Sequence, residues 1–488
     1  MNLLKAVDIV KKNKSIRKNL EEVIQSFGIH TDIDDFLKQL VEGNKIDNKF
    51  DVIFSVMNKN FKDGIPMTNV LSMDNFTKKK FSEVFTPTSL VDPMLDKLPE
   101  HVWSNPEYKW IDNSCGTGVF IWHGIIPRLK KGLRPFFKTE AEMNKHIASM
   151  IYGCDLQEGN VAITRRYVLE SLGRENIKTI LRNFVVEDSL NFDYWKGTKF
   201  NVVVGNPPYE NGNGKKGRGS LLWTKFVELA INKLLLEDGY LCYVHPAGWR
   251  QLSNPTGTLL KNKQMNYLEI HSEVDGAKTF GSKVNTRYDW YVLKNAKNVN
   301  HITEILDQDG ATFKTNLKDW DFVPNCLFDD VQKLLATKKD TKVDLFYSSM
   351  FHHTKLSANK DSAHAHPCIY SIGKSSNLKL MWSKSPSAKK VKDFNKAFGT
   401  KKFIFQLGFD TGNIVDNNGE YGVTQWCAAI VDSEENLVNI KKAFDSKKFK
   451  DVVIKATSFR REINANVLKL FRKDFWKEFV NDNQTVSQ

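Results

Sequence analysis

The stretch Phe200 to Glu210, FNVVVGNPPYE, decides the reading of this chain, because it ends an apolar run in a compact polar turn. Val202, Val203 and Val204 are β-branched and lie between turn formers, which predicts a buried strand. Gly205 lets the backbone bend sharply, and Pro207 and Pro208 fix two φ angles and remove two N–H donors. What remains to face outward is the Asn206 amide, the Pro207 carbonyl and the Tyr209 ring. Two acceptors beside an aromatic platform suit a flat ligand edge that carries an exocyclic amine. Asn-Pro and Pro-Pro are also ordinary turn dipeptides, so the surroundings must decide between a site and a plain strand end.

Working back toward the N-terminus, the same arrangement recurs. KWIDNSCGTGVFIW reads as strand, acidic turn, glycines and helix: Trp110 and Ile111 close a strand, Asp112 opens the turn, and Gly116 and Gly118 allow close backbone approach to a ligand. It is neither G-x-G-x-x-G nor a P-loop, since no Gly-Lys-Ser/Thr follows, and a nucleoside triphosphate is disfavoured. MIYGCDLQEGNVAITRRYVL ends an apolar run in Asp155, placed to bind a ribose diol, and FVVEDSLNF does so in Asp188, placed to accept from an adenine amino group. Each acid alone could be a helix cap, whereas four strand-loop-helix units in series predict a doubly wound sheet with ligand groups at the strand carboxyl ends. Upstream, FTPTSLVDPMLDKL predicts an amphipathic helix with Thr86 as a possible cap and Pro87 in the first turn.

Downstream, NGNGKKGRGS carries Lys215, Lys216 and Arg218 on a glycine-rich loop, which suits either phosphate contact or a solvated surface loop. GYLCYVHPAGWR predicts a further core strand and turn. KTFGSKVNTRYDWYVLK predicts a late hairpin in which Tyr288 and Trp290 share a strand face, either packed in the core or turned to stack on a base beside Tyr209. Residues 301–330 read as a connector. Beyond them KKFIFQLGF, GNIVDNNGEYGVTQWCAAIV and a helical tail predict a mixed α/β lobe, with Asp416 to Gly419 as a tight turn. Helical spacing in residues 1–80 predicts a helical N-terminal region.

Bulk properties narrow the class. The 488 residues include 41% hydrophobic and 26% charged side chains, as in a soluble globular protein of two to four domains. No apolar run is long enough to span a membrane and no secretory leader is evident, so a cytoplasmic protein is expected. The six cysteines form no C-x-x-C pair, which argues against a zinc site or disulfide framework, and no metal site is expected. Of the formal net charge of +14, residues 331–488 contribute +11, from 27 Lys+Arg and 16 Asp+Glu. A basic module beside a neutral one suits a grip on a polyanion.

With FTP, DNSCGTGVF, Asp155, Asp188 and NPPY in that order, residues 80–300 resemble the S-adenosylmethionine-dependent N6-adenine DNA methyltransferases, specifically the gamma class of Taq-type and Eco57I-like enzymes. The resemblance implies an α/β, Rossmann-like class I methyltransferase domain over 81–300 and a basic target-recognition domain over 331–488. It implies that Phe85, Thr86 and Pro87 lie against the methionine part of S-adenosyl-L-methionine, with Asp112, Gly116 and Gly118 around it. Asp155 falls on the ribose and Asp188 at the cofactor adenine. Asn206, Pro207, Pro208 and Tyr209 form the catalytic turn, Asn206 also touching the cofactor. Lys215, Lys216, Arg218, Tyr288 and Trp290 are the implied DNA contacts. The chain departs from the usual D-P-A-C-G-T-G at Asn113 and Ser114. The partners implied are double-stranded DNA and a separate restriction endonuclease. N4-cytosine transfer, methylation of RNA or protein, and a catalytically dead specificity subunit are the competing readings. A cytosine-C5 enzyme would need a Pro-Cys soon after the cofactor loop, whereas Pro367-Cys368 lies far downstream.

Overall fold

The computed structural model describes residues 32, 34–35, 86–191, 197–209, 221–281, 286–385, 391–408, 411–459 and 462–480. Phe85, Lys215, Lys216, Arg218 and nearly all of the expected helical region 1–80 lie outside the described residues. The chain divides into two compact units: residues 1–249, 255–306 and 314–319, and residues 250–254, 307–313 and 320–488.

The first unit is built on the sheet that the three acid-tipped runs and the run before NPPY announce. These runs form β1 (Trp110–Asp112), β2 (Ile151–Asp155), β3 (Phe184–Val186) and β4 (Phe200–Gly205). They are followed by β5 (Leu235–Pro246), β6 (Lys263–Ile270), β7 (Tyr288–Lys297), β8 (Thr303–Leu306) and β9 (Thr312–Thr315). The strand order is β3-β2-β1-β4-β5-β7-β6-β8-β9. The first five strands are parallel, and β7 inserts antiparallel between β5 and β6. The order reverses between β1 and β4, and a crevice opens at such a switch point beyond the strand carboxyl ends.

Both sheet faces are covered, so the strands read as continuous apolar runs. On one face Val202, Val204, Cys242 and Val244 join a core with Leu90, Val91 and Met94 of helix α1 (Thr88–Asp96) and Leu129 and Leu133 of α2 (Ile126–Leu133). Helix α3 (Glu140–Met150) opens on a capping box of Thr139 and Glu142 and adds Met143 and Ile147. Helix α4 (Glu158–Leu172), which follows β2, adds Val161 and Val168. On the other face Trp223 of α5 (Leu222–Leu229) stacks on His245 of β5 at 4.4 Å between ring centroids.

Two local expectations change. The segment before β7 is a helix, α6 (Glu273–Phe280), capped by Ser272 and Asp275, so β6 and β7 are joined by a helical crossover and not a tight hairpin. The span 301–330, expected as a connector, contains β8 and β9; Thr303 and Ile305 alternate inward, and β8 pairs with β6.

The second unit contains two small sheets. One has the order β10-β16-β13-β14, formed by Leu345–Phe346, Cys427–Ile430, Lys402–Gln406 and Asn413–Asp416. The other is β12-β11-β15, formed by Leu378–Ser383, His366–Ile372 and Gly422–Val423. The expected turn after Asp416 is present, with Gly419 at φ +68°. Its Asp416 accepts from the Glu420 and Tyr421 N–H groups and pairs with Lys402 at 2.6 Å, both side chains being essentially sealed from solvent. Helix α7 (Glu434–Asp445) brings Phe444 against Phe403 and Phe405 of β13.

Candidate functional site

A cavity of about 340 Å³ lies at the carboxyl ends of β1 to β4 and is lined by Thr86, Asp112, Gly116, Asp155, Asp188 and the Asn206–Tyr209 turn, among others. The topology places it there: each parallel strand delivers its last residue and the following loop to the same edge. Five separate sequence signals therefore meet in one concavity of the size that small-molecule ligands occupy.

Asp112 ends β1 and is 1% exposed. Its Oδ1 accepts the Ser114 N–H at 3.1 Å. Burial pushes its carboxyl up to about 8, one backbone hydrogen bond being too little to offset the loss of water, and neighbouring Asp155 adds to the shift. Gly205 stands opposite at φ +149°, where a Cβ would come within 2.8 Å of that same oxygen. Glycine is required there by the close approach of β4 to β1.

Asp155 ends β2 and holds the glycine loop in place. Its Oδ2 accepts the Gly116 N–H at 3.0 Å, and its Oδ1 accepts the Gln157 N–H at 2.8 Å. Burial raises its pKa, and these hydrogen bonds pull in the other direction. Gly118 does not line the cavity; a Cβ at its φ of +78° would fall 2.6 Å from Thr164 Cγ2, so its role is to let the loop pack on α4. Asp188 is exposed at the rim, its Oδ1 accepting the Leu190 N–H at 3.0 Å. Glu187, directly after β3, also lines the cavity. A sequence scan that takes one acid per strand end passes over it.

The turn itself is fixed by a contact that the sequence reading misses. Asn206 Nδ2 donates to Thr86 Oγ1 at 3.1 Å, which leaves the oxygen end of the amide as the acceptor on its other side. Thr86 therefore does not cap α1. Pro87 occupies the N-cap and makes no side-chain cap bond, while the threonine hydroxyl reaches across 120 residues to the NPPY turn. The Tyr209 hydroxyl is buried and its pKa is pushed up by desolvation.

Tyr288 and Trp290 are corrected as candidate base-stacking residues. They are 2% and 1% exposed and belong to the core beneath the sheet. Tyr288 stacks on His271 at 4.3 Å, and Trp290 packs against Tyr267 at 5.0 Å. The alternation that put them on one face was right about the face, but helix packing covers that face. The aromatic beside Tyr209 is Phe280, at the end of α6, edge-on at 6.5 Å. Its signal lay in KTFGSK, an aromatic at a helix end before a glycine.

The arrangement offers carboxylates for a ligand's hydroxyl and amino groups, and an amide oxygen and a proline carbonyl next to an aromatic ring. Among the described residues, no group of three or more His, Cys, Asp and Glu side chains is arranged to hold a metal ion. No described helix is long and apolar enough to cross a membrane.

Residues 149–279 match the model of the Eco57I restriction-modification methylase family. An uncharacterized adenine-specific methylase of Mycoplasma pneumoniae is 28% identical, over 38% of this chain and 61% of that protein. Modification methylase CviBIII of Paramecium bursaria Chlorella virus NC1A is also 28% identical, over 45% of this chain and 52% of that protein. The chain thus spans about half the length of the curated relatives it matches. Among solved structures, a nuclease-deletion mutant of the Type ISP restriction-modification enzyme LlaGI, in complex with a DNA substrate mimic, superposes with a TM-score of 0.51. It is 12% identical and covers 90% of this chain and 48% of that chain, a likeness of fold.

Proposed function

We propose, from the match of residues 149–279 to the Eco57I restriction-modification methylase model, that the chain transfers a methyl group from S-adenosyl-L-methionine to the N6 amino group of an adenine in double-stranded DNA. The observation that carries this reading is the Asn206–Tyr209 turn on the wall of the same cavity that Asp112, Asp155 and Asp188 line.

The residues present fit the cofactor. Asp155 and Asp188 would accept from a ribose and an adenine amine, Asp112 would meet the cationic end, and Thr86, beside Asn206, would lie along the methionine arm, whereas Pro87 is not among the residues lining the cavity. When bound, S-adenosylmethionine supplies an electrophilic methyl group on a sulfonium.

The protein's own part is positional. An adenine amino nitrogen is a poor nucleophile because its lone pair is delocalised into the ring. Asn206 Oδ1 and the Pro207 carbonyl accept its two N–H groups, which favours a pyramidal nitrogen with the lone pair aimed at the methyl. Thr86 holds the Asn206 amide in the orientation that makes this possible. A base inside a duplex must first be extruded, at a cost of a few kcal/mol, and Tyr209 provides the stacking surface that receives it, with Phe280 beside it. No strongly basic residue is needed at the nitrogen, since its proton is acidified by the transfer itself.

Residues 331–488, which hold +11 of the net charge of +14, are the DNA grip in this reading, and a separate restriction endonuclease its counterpart. Incubating purified protein with DNA and isotopically labelled cofactor, then digesting to nucleosides, tests the reading. Label in N6-methyl-2′-deoxyadenosine is expected, whereas label in N4-methyl-2′-deoxycytidine or none in DNA would overturn it.

A further inference from the structure

Two residues lining the cavity carry buried polar atoms that the mechanism above leaves unused. Asn113 is 1% exposed, and its Oδ1 accepts the Tyr243 hydroxyl, which fixes the amide and assigns Nδ2 to the other end. That Nδ2 is buried and meets no hydrogen-bond partner among the described residues; the same is true of Ser114 Oγ. Both residues line the cavity. A buried donor without an acceptor costs on the order of 1–3 kcal/mol, so the pair is stabilised when a ligand brings an acceptor.

The ligand's other groups are already provided for. Asp112, Asp155, Glu187 and Asp188 can take only hydrogen-bond donors when ionised, which suits ribose hydroxyls, an adenine amine and an ammonium. The group left over on the cofactor is its α-carboxylate, which takes only donors. Ser114 lies at the matching end: a Cβ on Gly205 would be 3.3 Å from Ser114 Oγ and 2.8 Å from Asp112 Oδ1, and Gly205 leads directly into Asn206. Asn113 follows Asp112 in the same turn.

We propose that Asn113 Nδ2 and Ser114 Oγ donate to the carboxylate of the cofactor's amino-acid arm, so that the two departures from the usual glycine-loop motif are ligand contacts. This rests on the methyltransferase reading. The rival partner is Lys225, the one cation among the described residues lining the cavity, which sits exposed on α5.

Calorimetric titration of the full chain with S-adenosylhomocysteine and with 5′-methylthioadenosine, which lacks the amino-acid arm, separates the possibilities. Ser114→Ala removes a hydroxyl that has no protein partner, and Asn113→Asp keeps an oxygen for Tyr243 while deleting the donor. Each is expected to weaken S-adenosylhomocysteine by about tenfold and methylthioadenosine by less than about twofold. The ligand-free melting temperature of Ser114→Ala should be unchanged. Unchanged affinities in both variants, equal losses for both ligands, or a selective loss only in Lys225→Ala would overturn the assignment. Binding of neither ligand by the wild-type chain would instead sink the methyltransferase reading, and the assignment with it.

Discussion

Asn206 is oriented by Thr86, and this pairing gives the site its sharpest residue-level test. Asn206→Ala removes the acceptor that the proposed mechanism uses at the reacting nitrogen and is expected to lower kcat by about 10²–10³-fold, by analogy with loss of one catalytic hydrogen-bond partner. Thr86→Val leaves the acceptor but frees its orientation, and should cost about tenfold in kcat with little change in melting temperature. Single-turnover methylation assays check both; equal activity of Thr86→Val and wild type would mean that the hydrogen bond does not position the amide. Asp112 gives a pH test. Its folded-state pKa of about 8 lies above the 3.8 of a free carboxyl, so the folded state holds the proton more tightly than the unfolded state. Its contribution to stability is therefore greatest below pH 4, declines as pH rises from about 4 to 8, and is flat above. Asp112→Asn should raise the melting temperature of the ligand-free protein at pH 8 and not at pH 4, and the opposite pattern would contradict the burial argument. At this scale the sequence pointed to the turn and strand-end residues that meet at one cavity. It could not show the Thr86 contact or the identity of Phe280, because both depend on how segments 70 or more residues apart fold onto one another.

Among the elements, β4 is the one whose ends are most constrained. Gly205 sits at φ +149° with the Asp112 carboxylate where a side chain would begin. Gly205→Ala should destabilise by more than about 1 kcal/mol from backbone strain alone and displace the Asn206 turn, so that cofactor binding falls along with stability. A melting curve and a cofactor titration on one preparation test this; a fully stable variant that binds normally would refute it. In the second unit, the Lys402–Asp416 pair joins β13 to the end of β14, and burial lowers the lysine pKa even with its partner present. Lys402→Met should destabilise by about 3–5 kcal/mol because Asp416 is left buried, and Lys402→Met with Asp416→Asn should recover part of it. Chemical denaturation of both variants checks the order. The valine run of β4, the acid-tipped strands and the DNNG turn were all legible from local pattern. The helix α6 and the strands of 301–330 were not, since the short runs EVDGAKTF and TEIL become helix and strand through packing on β7 and pairing with β6.

For the whole molecule, the uneven charge is the relevant quantity: +11 of the +14 falls in residues 331–488. If that third grips phosphates, DNA affinity should drop steeply with salt, by about 10³–10⁵-fold between 50 and 200 mM for six to ten contacts, while cofactor affinity changes little. A salt-independent DNA affinity would remove the reason for assigning the basic unit this role. Motif order made the doubly wound sheet legible; the boundary at residue 320, and the return of 250–254 and 307–313 to the second unit, follow from tertiary contacts that no composition shift marks. The central claim, that the Asn206–Tyr209 turn methylates adenine N6 in DNA, is tested most directly by mapping modified bases in DNA from cells that express the wild-type chain or Asn206→Ala. N6-methyladenine at one recurring sequence with the wild type, and its loss with Asn206→Ala, is the predicted result; N6-methyladenine at undiminished level in the variant, or a different modified base in the wild type, would contradict it.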